Sequence, residues 1–405
     1  MSSFDTVIVG AGAAGIAAAR RLVAAGQKVV VLEARSRVGG RAATDHSLGA
    51  PADLGAAWLH FAEQNAWTEI ADQSGFSVIR REPGWGAGAS IGTHMPTPEQ
   101  RQAAEASYGH YYALIEAAAS AGRDVAVSEV LPDDAYRVRF DAVMTWAVSV
   151  ESRQVSTLDL ARYGDSEHNW AVREGLGTVV AAGAAGLPIR LGTLVTAVDW
   201  SGPRIQIDTS AGRIDCAGVI ITAPTPVLAA GAIQFTPALP TAHLDAFAGL
   251  PLGVVNKVFF RLGGGQFADG VSRHFLGSAS TSRTCNYLVY PADQPLLCAF
   301  FGGDLSRELE QRGELEVFAR DELRGIFGAQ FVGALGPGLA TGWGADPHAR
   351  GSYSAALPGK AHCRGVLATP VTPAMQFAGE ACSEQFYGTL HGAWLSGVAA
   401  AEQLL

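Results

Sequence analysis

The chain of 405 residues is poor in cysteine, and its five cysteines form no CxxC pair and no metal-ligand spacing. An odd cysteine count argues against a disulfide framework of the kind that stabilises small secreted proteins. Basic side chains are outnumbered by acidic ones, 29 to 38. The resulting net charge of −9 argues against nucleic-acid binding, which requires a basic surface. We therefore expect no metal site and no nucleic-acid partner.

Long apolar runs are also lacking, since no uninterrupted apolar stretch approaches the roughly 20 residues of a membrane span. The first apolar segment has strand length and is not preceded by the charged region of a secretory signal. We expect a cytoplasmic protein without membrane contacts. Hydrophobic residues make up 48% of the chain and charged residues 17%, which predicts a globular protein, and 405 residues are enough for two domains with sizeable cores.

Glycine, in contrast, is abundant, with 49 residues, and three glycines stand in a GxGxxG motif near the N-terminus. The flanking sequence predicts a strand, a helix and a strand over residues 4–9, 16–25 and 28–32. Gly10 permits a tight turn, Gly12 a close approach of backbone to a pyrophosphate, and Gly15 close packing of helix on strand. The pattern predicts a dinucleotide-binding βαβ unit with the pyrophosphate at the helix N-terminus.

The second strand of this unit ends in Glu33, which is placed to accept hydrogen bonds from an adenosine ribose. A glycine pair and Arg41 follow within residues 34–41. Backbone amides and a guanidinium group there would form a second clamp on the same pyrophosphate. This addition favours FAD over NAD as the dinucleotide.

The run from Glu33 to Arg41 resembles the ExxxxxGGR element of the flavin-containing amine oxidase superfamily. Further motifs similar to those of the family follow in the family's order. They are DLGAAWLH at residues 53–60, Val195, IITAP at 220–224, FTPALP at 235–240, GVVNK at 253–257, Trp343, Asp346-Pro347, GSY at 351–353, FAGE at 377–380, and the segment 388–397. The resemblance therefore covers nearly the whole chain.

The resemblance implies an α/β (α+β) fold, with a discontinuous, Rossmann-like FAD-binding domain of the glutathione-reductase type and a sheet-plus-helix substrate domain. We assign residues 1–75, 176–240 and 360–405 to the FAD domain, and 76–175 and 241–359 to the substrate domain. The substrate domain is predicted to contain helices at 98–121 and 305–327 and strands at 254–261, 286–290 and 296–301. Residues 84–92 are expected to form a surface loop, with a lid as an alternative.

The resemblance also implies the contacts of FAD. The residues expected to contact it are Gly10, Gly12, Ala13, Ala14, Gly15, Glu33, Ala34, Arg35, Gly40, Arg41, Gly55, Ala56, Ala57, Trp58, Val195, Trp343, Gly379, Glu380, Thr389 and Leu390. Glu380 is expected at a ribityl or ribose hydroxyl or by the pyrophosphate, and the helix that starts at Thr389 and Leu390 is expected to point N–H groups at flavin N1 and O2. Ser352 stands where some relatives carry a cysteine bonded to the flavin, so we expect noncovalent FAD.

Four residues are expected to act in catalysis, namely Lys257, Tyr353, His60 and Trp343. In the family, the lysine holds a water against flavin N5 and assists the reaction with O2. Tyr353 would form one wall of an aromatic cage around the amine. Thr389 falls where the second wall usually stands, which leaves half a cage. Trp343, Trp170 and Tyr287 are candidates for the missing wall.

His60 resembles the histidine of polyamine and spermine oxidases, where it would contact a distal amine or carry protons near pH 7. Asp165, Glu167 and Glu174 are candidates for binding the remote ammonium groups of a polyamine. Charged residues in such a segment are more often simply solvated.

The leading hypothesis is an FAD-dependent amine oxidase for polyamines or secondary amines. Hydride would pass from the carbon next to nitrogen to flavin N5, the imine would hydrolyse to a carbonyl, and O2 would reoxidise the flavin, giving H2O2. An L-amino-acid oxidase is the nearest alternative, with Arg283 or Arg173 as the carboxylate clamp. An amine dehydrogenase with another acceptor, a carotenoid-type desaturase and a non-catalytic flavoprotein are further alternatives. The oligomeric state is open, with a homodimer as one option.

Overall fold

The computed structural model describes residues 3–83, 85, 89–166, 168–263 and 265–405. The strands are β1 (Ser3–Val9), β2 (Val29–Leu32), β3 (Thr44–Asp45), β4 (Ala52–Asp53), β5 (Val78–Ile79), β6 (Ser90–Ile91), β7 (Ala171–Val172), β8 (Ile189–Arg190), β9 (Val195–Asp199), β10 (Ile205–Thr209), β11 (Gly212–Ile221), β12 (Gln234–Thr236), β13 (Asn256–Arg261), β14 (Arg273–Leu276), β15 (Asn286–Val289), β16 (Leu296–Phe301), β17 (Leu339–Ala340) and β18 (Met375–Phe377). The helices are α1 (Ala13–Ala24), α2 (Ala66–Gln73), α3 (Pro98–Ser120), α4 (Val127–Val130), α5 (Arg137–Ala147), α6 (Thr157–Arg162), α7 (Leu176–Gly183), α8 (Thr225–Ala229), α9 (Thr241–Gly249), α10 (Gly303–Arg312), α11 (Leu315–Phe327), α12 (Ala329–Gly333), α13 (Cys363–Ala368) and α14 (Leu390–Glu402). Among these helices, none is both long enough and apolar enough to cross a membrane.

The first sheet has the strand order β12-β9-β10-β11-β1-β2-β8, and β18 also pairs with β11. Strand β1 lies parallel to both β2 and β11. Its apolar residues Val7, Ile8 and Val9 are almost fully buried because both faces of the sheet are covered. The strands of this sheet come from all three segments assigned to the FAD domain. The division into two domains itself stays a prediction.

The predicted βαβ unit is present as β1, α1 and β2, with β1 and β2 adjacent in this sheet. Helix α1 begins at Ala13, three residues before the predicted start, and packs against the C-terminal helix α14. The backbones approach closely, since a Cβ atom on Gly397 would lie 2.1 Å from the carbonyl oxygen of Ala14. The two ends of the chain thus form one packed unit.

The second sheet has the order β17-β13-β16-β15-β14-β6 and is mostly antiparallel. Alternation along β13 places Val258 and Phe260 in a buried core with helices α10 and α11. Lys257 and Phe259 point to the opposite face, which lines a cavity. The sheet therefore separates a packed core from the candidate site.

In the residues assigned to the substrate domain, the observed helices differ from the predicted ones in one region. The helix predicted over 305–327 is wrong as a single element, because two helices, α10 and α11, occupy this region. Gly313, with φ 68°, ends the first in the left-handed conformation that glycine adopts at low cost. The helix predicted over 98–121 is confirmed as α3, which begins with a capping box at Thr97. Part of the predicted surface loop, residues 84 and 86–88, lies outside the described residues.

Candidate active site

One cavity of about 1070 Å³ lies between the two sheets. Its walls include the carboxyl ends of β1 and β2, the segment 53–58, one face of the second sheet, and the start of α14. All of the residues predicted to contact a cofactor or act in catalysis line this cavity, with the exception of Gly15. Residues far apart in the sequence are therefore brought to one site.

Gly15 lies behind the cavity wall, where helix α1 meets the turn after β1. A Cβ atom on Gly15 would lie 1.9 Å from the carbonyl oxygen of Gly10, so only glycine allows this approach. Helix α1 starts after Gly12 without a side-chain cap. Its first N–H groups therefore remain available, and an anionic pyrophosphate fits them.

Glu33 lies at the end of β2, as predicted, and is 6% exposed. Its carboxylate accepts hydrogen bonds from the backbone N–H groups of Ala11 and Arg35, both at 2.8 Å. Each carboxylate oxygen has further lone pairs for a ribose hydroxyl. The Arg35 guanidinium makes a bidentate pair with Asp346, with both distances 2.7 Å.

Arg41 and Glu380 form an ion pair at the centre of a buried polar network. The Arg41 guanidinium donates to Glu380 Oε1 at 2.8 Å and to the carbonyl oxygen of Ser352 at 2.7 Å. Glu380 also accepts from the Ser354 hydroxyl at 2.6 Å. Burial alone would raise the pKa of Glu380, but Arg41, Ser354 and Arg364 together hold it below its usual range. The carboxylate therefore stays ionised, and it also accepts from the backbone N–H of Gly388 at 2.9 Å.

Lys257 is 8% exposed and faces the cavity from β13. Its ammonium group donates to the carbonyl oxygens of Asp53 at 2.8 Å and Gly55 at 2.7 Å. Burial lowers the pKa of Lys257, while Cys298 and Asp53 act in the opposite direction. A lysine has three donors, so one remains for a water or ligand in the cavity.

The segment held by Lys257 is also held by Trp343, whose indole N–H donates to the carbonyl oxygen of Leu54 at 3.0 Å. On the other side, the Asp53 carboxylate accepts from the backbone N–H of Leu176 at 2.9 Å. Burial raises the pKa of Asp53, while hydrogen bonds from the Thr44 hydroxyl and from the backbone N–H groups of Leu176 and Gly177, together with the charge of Lys257, oppose the rise. The wall formed by residues 53–58 is thus positioned from three directions.

Tyr353 lines the cavity, and its hydroxyl donates to the carbonyl oxygen of Trp146. Thr389, at the expected second cage position, instead caps helix α14 by accepting from the Gly392 N–H at 2.9 Å. Its side chain forms no aromatic wall. The half cage inferred from the sequence stays a prediction.

Two of the three candidates for the missing wall lie elsewhere. Tyr287 points to the other face of the second sheet, where its hydroxyl donates to Glu322 at 2.9 Å. Trp170 packs against the core, and the Arg80 guanidinium lies 5.2 Å from its ring centre. Only Trp343 among the three lines the cavity. No sequence pattern indicates which way these side chains face, because their direction depends on the register of strands distant in the chain.

Most aromatic walls of the cavity were missed by sequence reasoning. They are Trp85, Tyr108, Tyr112, Trp146, Tyr163, Phe259, Phe300 and Tyr387. Tyr163 and Tyr387 contact each other edge to face, with ring centres 5.0 Å apart. No local motif marks them. Three of them, Tyr108, Tyr112 and Trp146, lie on helices α3 and α5, and the others come from separate strands and loops.

His60 lines the cavity, and its Nδ1 lies 2.5 Å from Asn169 Oδ1. Burial lowers the pKa of His60, with Asn169 and Asp165 acting in the opposite direction. The imidazole is therefore neutral near pH 7, and with Asn169 Oδ1 as acceptor the proton is on Nδ1. This arrangement favours Nε2 as a hydrogen-bond acceptor over a role in carrying protons.

The predicted acids are divided between cavity and surface. Asp165 lines the cavity, as does Glu116 on α3, which sequence reasoning missed. Glu174 lies outside it and accepts from the backbone N–H of Ser77 at 2.9 Å. Glu167 lies outside the described residues.

The predicted carboxylate clamps are both engaged in ion pairs. Arg283 pairs with Glu308 at 2.7 Å and does not line the cavity. Arg173 lines the cavity and pairs with Asp293 at 2.9 Å. Neither guanidinium is thus presented alone to a substrate carboxylate.

The fold and the site together define a dinucleotide-binding fold with a cavity lined by aromatic side chains. The profile of the flavin containing amine oxidoreductase family matches residues 13–83 and 102–405. The chain belongs to this family, and it is an enzyme that uses a flavin.

Curated relatives align with nearly the whole of this chain. The chain is 29% identical to polyamine oxidase 2 of Arabidopsis thaliana over 439 residues, which cover 98% of this chain and 87% of the relative. It is 30% identical to polyamine oxidase 3 of Oryza sativa subsp. japonica over 443 residues, covering 98% and 88%. The structure of wild-type putrescine oxidase bound to putrescine superposes with a TM-score of 0.81 at 22% identity, covering 99% and 98% of the two chains. This likeness confirms the predicted α/β fold class with its dinucleotide-binding domain of the glutathione-reductase type.

Proposed function

We propose that this protein is an FAD-dependent amine oxidase that acts on polyamines or related secondary amines and uses O2 as its acceptor. The observation that carries the proposal is the position of the buried Lys257 amine in the cavity. It lies between the residues expected to bind the dinucleotide, here called the cradle, and the aromatic walls of the cavity, here called the aromatic chamber. Relatives named as polyamine oxidases support the substrate class.

FAD fits the cradle on chemical grounds. The uncapped N-terminus of α1 suits its pyrophosphate, and the Glu33 carboxylate suits a ribose hydroxyl. The Ser352 hydroxyl donates to the carbonyl oxygen of Val255 at 2.8 Å and provides no thiol. We therefore propose noncovalent FAD, which denaturation of the protein would release.

The flavin, when bound, supplies the acceptor for the two electrons and hydrogen removed from the carbon next to nitrogen. The chain's own residues select and prepare the amine. The Tyr353 ring attracts the ammonium form, an interaction worth about 0.5–2 kcal/mol. Desolvation by the surrounding rings then lowers the amine pKa, so that the neutral form with its lone pair is available. The remaining Lys257 donor holds a water at the meeting point of cradle and chamber.

The test is anaerobic reduction of the purified yellow protein by a panel of putrescine, spermidine, N-acetylated polyamines, benzylamine and L-amino acids. We expect polyamines to bleach the visible flavin absorbance rapidly, and air to restore it with release of H2O2. Reduction by amines but slow reoxidation by O2, with fast turnover on a dye, would indicate an amine dehydrogenase instead. Bleaching by L-amino acids alone would favour the amino-acid oxidase alternative.

The acids of the cavity give a substrate-specific prediction. Glu116→Gln and Asp165→Asn are each expected to raise the KM for spermidine about tenfold, because each removes a charge that attracts a remote ammonium group. Steady-state kinetics should show the KM for benzylamine almost unchanged. Glu105→Gln is the matched control, since Glu105 lies on the same helix but does not line the cavity. Equal effects on both substrates would contradict an ammonium-binding role.

Gly15→Ala gives a prediction for the cradle. The added methyl group would collide with the carbonyl oxygen of Gly10, so we expect purified protein with little bound flavin. The measurement is the ratio of flavin absorbance to protein absorbance after gel filtration. Gly109→Ala is the control, because a Cβ atom there meets nothing within 4 Å. Full flavin content in Gly15→Ala would disprove the close-packing argument.

A further inference from the structure

Asn256, on β13, is fully buried, and its side chain lies behind the cavity wall. Its carboxamide oxygen accepts from the Thr341 hydroxyl at 2.9 Å and from the backbone N–H of Trp343 at 3.0 Å. Its amide nitrogen donates to Glu310 at 2.8 Å and to the Ser306 hydroxyl at 3.2 Å. A carboxamide has two donors and two acceptor positions. All four are therefore in use, and the side chain is held in one orientation.

Glu310, on α10, extends this network to the segment that follows Trp343. Its carboxylate accepts from the backbone N–H groups of Gly344 at 3.2 Å and Ala345 at 2.7 Å. The approach is close, since a Cβ atom on Gly344 would lie 2.7 Å from Glu310 Oε2. Asn256 and Glu310 together thus bind three successive backbone N–H groups, at residues 343–345.

The residues fixed in this way are those that hold the cavity wall at residues 53–58. The Trp343 indole donates to a carbonyl oxygen of that wall at 3.0 Å. The Thr341 hydroxyl, which donates to Asn256, accepts from the backbone N–H of Lys257 at 2.8 Å. The Lys257 ammonium group in turn donates to two carbonyl oxygens of the wall. Asn256 is therefore linked to the wall by two routes.

The strand pattern calls for an apolar side chain at the position of Asn256. Val258 and Phe260 follow on the same face of β13 and are buried in the apolar core formed with α10 and α11. A buried polar group is tolerated when it is fully hydrogen-bonded, and a fully satisfied network holds its members in one arrangement. The asparagine at this core position therefore indicates a requirement for orientation in addition to packing.

We propose that Asn256, together with Glu310, is a positioning residue that orients Trp343 and Lys257, so that the remaining Lys257 donor points into the cavity. The inference rests on the proposed function and adds the residues that set the geometry of Lys257. Asn256 itself does not line the cavity, so it acts through its neighbours.

The first test replaces Asn256 with leucine, which has a similar volume and no hydrogen-bonding group. After anaerobic reduction with dithionite, we expect the reaction with O2 to slow about tenfold, as for the loss of one buried hydrogen bond. Reduction of the oxidised enzyme by amine should slow less than about twofold, because the aromatic walls are unchanged. Stopped-flow absorbance of the flavin measures both rates. Equal slowing of the two half-reactions would overturn the inference.

Tyr287→Phe is the matched control for Asn256→Leu. Tyr287 is fully buried on the same sheet, and its hydroxyl donates to Glu322 on α11 at 2.9 Å and to the carbonyl oxygen of Ala319 at 3.3 Å. The variant thus removes buried hydrogen bonds between this sheet and a helix without touching residues 341–345. We expect both half-reactions to keep their rates. A tenfold slower O2 reaction in Tyr287→Phe would overturn the inference, because any loosened core would then have the same effect.

A charge swap tests the pairing of Asn256 with Glu310. Asn256→Asp places a second carboxylate where Glu310 now accepts a hydrogen bond, so repulsion should slow the O2 reaction about tenfold or more. Adding Glu310→Gln restores a donor that faces the new carboxylate, and the rate should return to within about threefold of the wild type. A double variant no faster than Asn256→Asp would overturn the inference. These variants also decide the question if Asn256→Leu fails to fold.

The last test is independent of turnover and follows amide hydrogen exchange in the flavin-loaded enzyme by mass spectrometry. The N–H groups of Leu54 and Ala56 are bonded to the carbonyl oxygens of Ala43 and Arg41. Their exchange should become about tenfold faster in Asn256→Leu, because the wall opens more often, and should not change in Tyr287→Phe. Unchanged exchange at residues 53–58 would overturn the inference. If exchange rises while Lys257→Met reacts normally with O2, the positioning role stands and the O2 role in the proposed function fails.

Discussion

Replacing Lys257 with methionine is expected to slow the reaction of the reduced enzyme with O2 by about 100-fold, the usual effect of removing one preorganised donor. Methionine retains the length and packing of the side chain but loses the donor that faces the cavity. Reduction by amine should change much less, because the aromatic walls remain. Stopped-flow mixing of anaerobically reduced protein with oxygenated buffer measures the two half-reactions separately.

The control variant must remove a hydrogen bond that positions residues 53–58 while the Lys257 ammonium group stays in place. Lys257 also bonds to the carbonyl oxygens of Asp53 and Gly55, and Trp343 bonds to that of Leu54 between them. Trp343→Phe therefore loosens the same segment while Lys257 stays. If Trp343→Phe slows reoxidation as much as Lys257→Met, the effect comes from displacement of residues 53–58, and the role proposed for the Lys257 ammonium group is wrong.

Replacing Arg364 with methionine is expected to lower the free energy of unfolding by about 3–5 kcal/mol, because a buried partner charge is left uncompensated. Arg364 is fully buried and pairs with Asp159 through two bonds, at 2.6 and 2.8 Å. Its guanidinium also lies 3.7 Å from the centre of the Tyr387 ring, which lines the cavity. Urea unfolding at a fixed FAD concentration gives the measurement, since bound ligand contributes to stability.

Two further variants distinguish the effect of breaking the buried Arg364–Asp159 pair on the free energy of unfolding from the effect of removing any arginine charge. Arg213→Met breaks an exposed pair with Asp208 and should change stability by less than about 1 kcal/mol. Combining Arg364→Met with Asp159→Leu should recover part of the loss, because no unpaired charge then remains buried. A loss of less than about 1 kcal/mol for Arg364→Met alone would show that Asp159 finds another partner.

The features that could be predicted from the sequence are those in which the local backbone conformation allows only certain residue types. Gly10 and Gly15 mark the strand-to-helix turn because a side chain there would collide, and Glu33 follows the second strand at a predictable distance. Lys257 was found through the motif around it, and its burial followed from its apolar strand. The break at Gly313 was missed, although a glycine inside a long amphipathic pattern was its signal.

The sequence by itself determined the class of fold, the dinucleotide cradle and the family, since these depend on short motifs with backbone-level causes. Only the tertiary structure decided which side chains enclose the cavity. Trp146, Tyr163 and His274 belong to separate elements and reach one cavity only after the second sheet and its helices have packed. Whether a side chain faces that cavity depends on strand register and helix rotation, which long-range packing selects and no local pattern records.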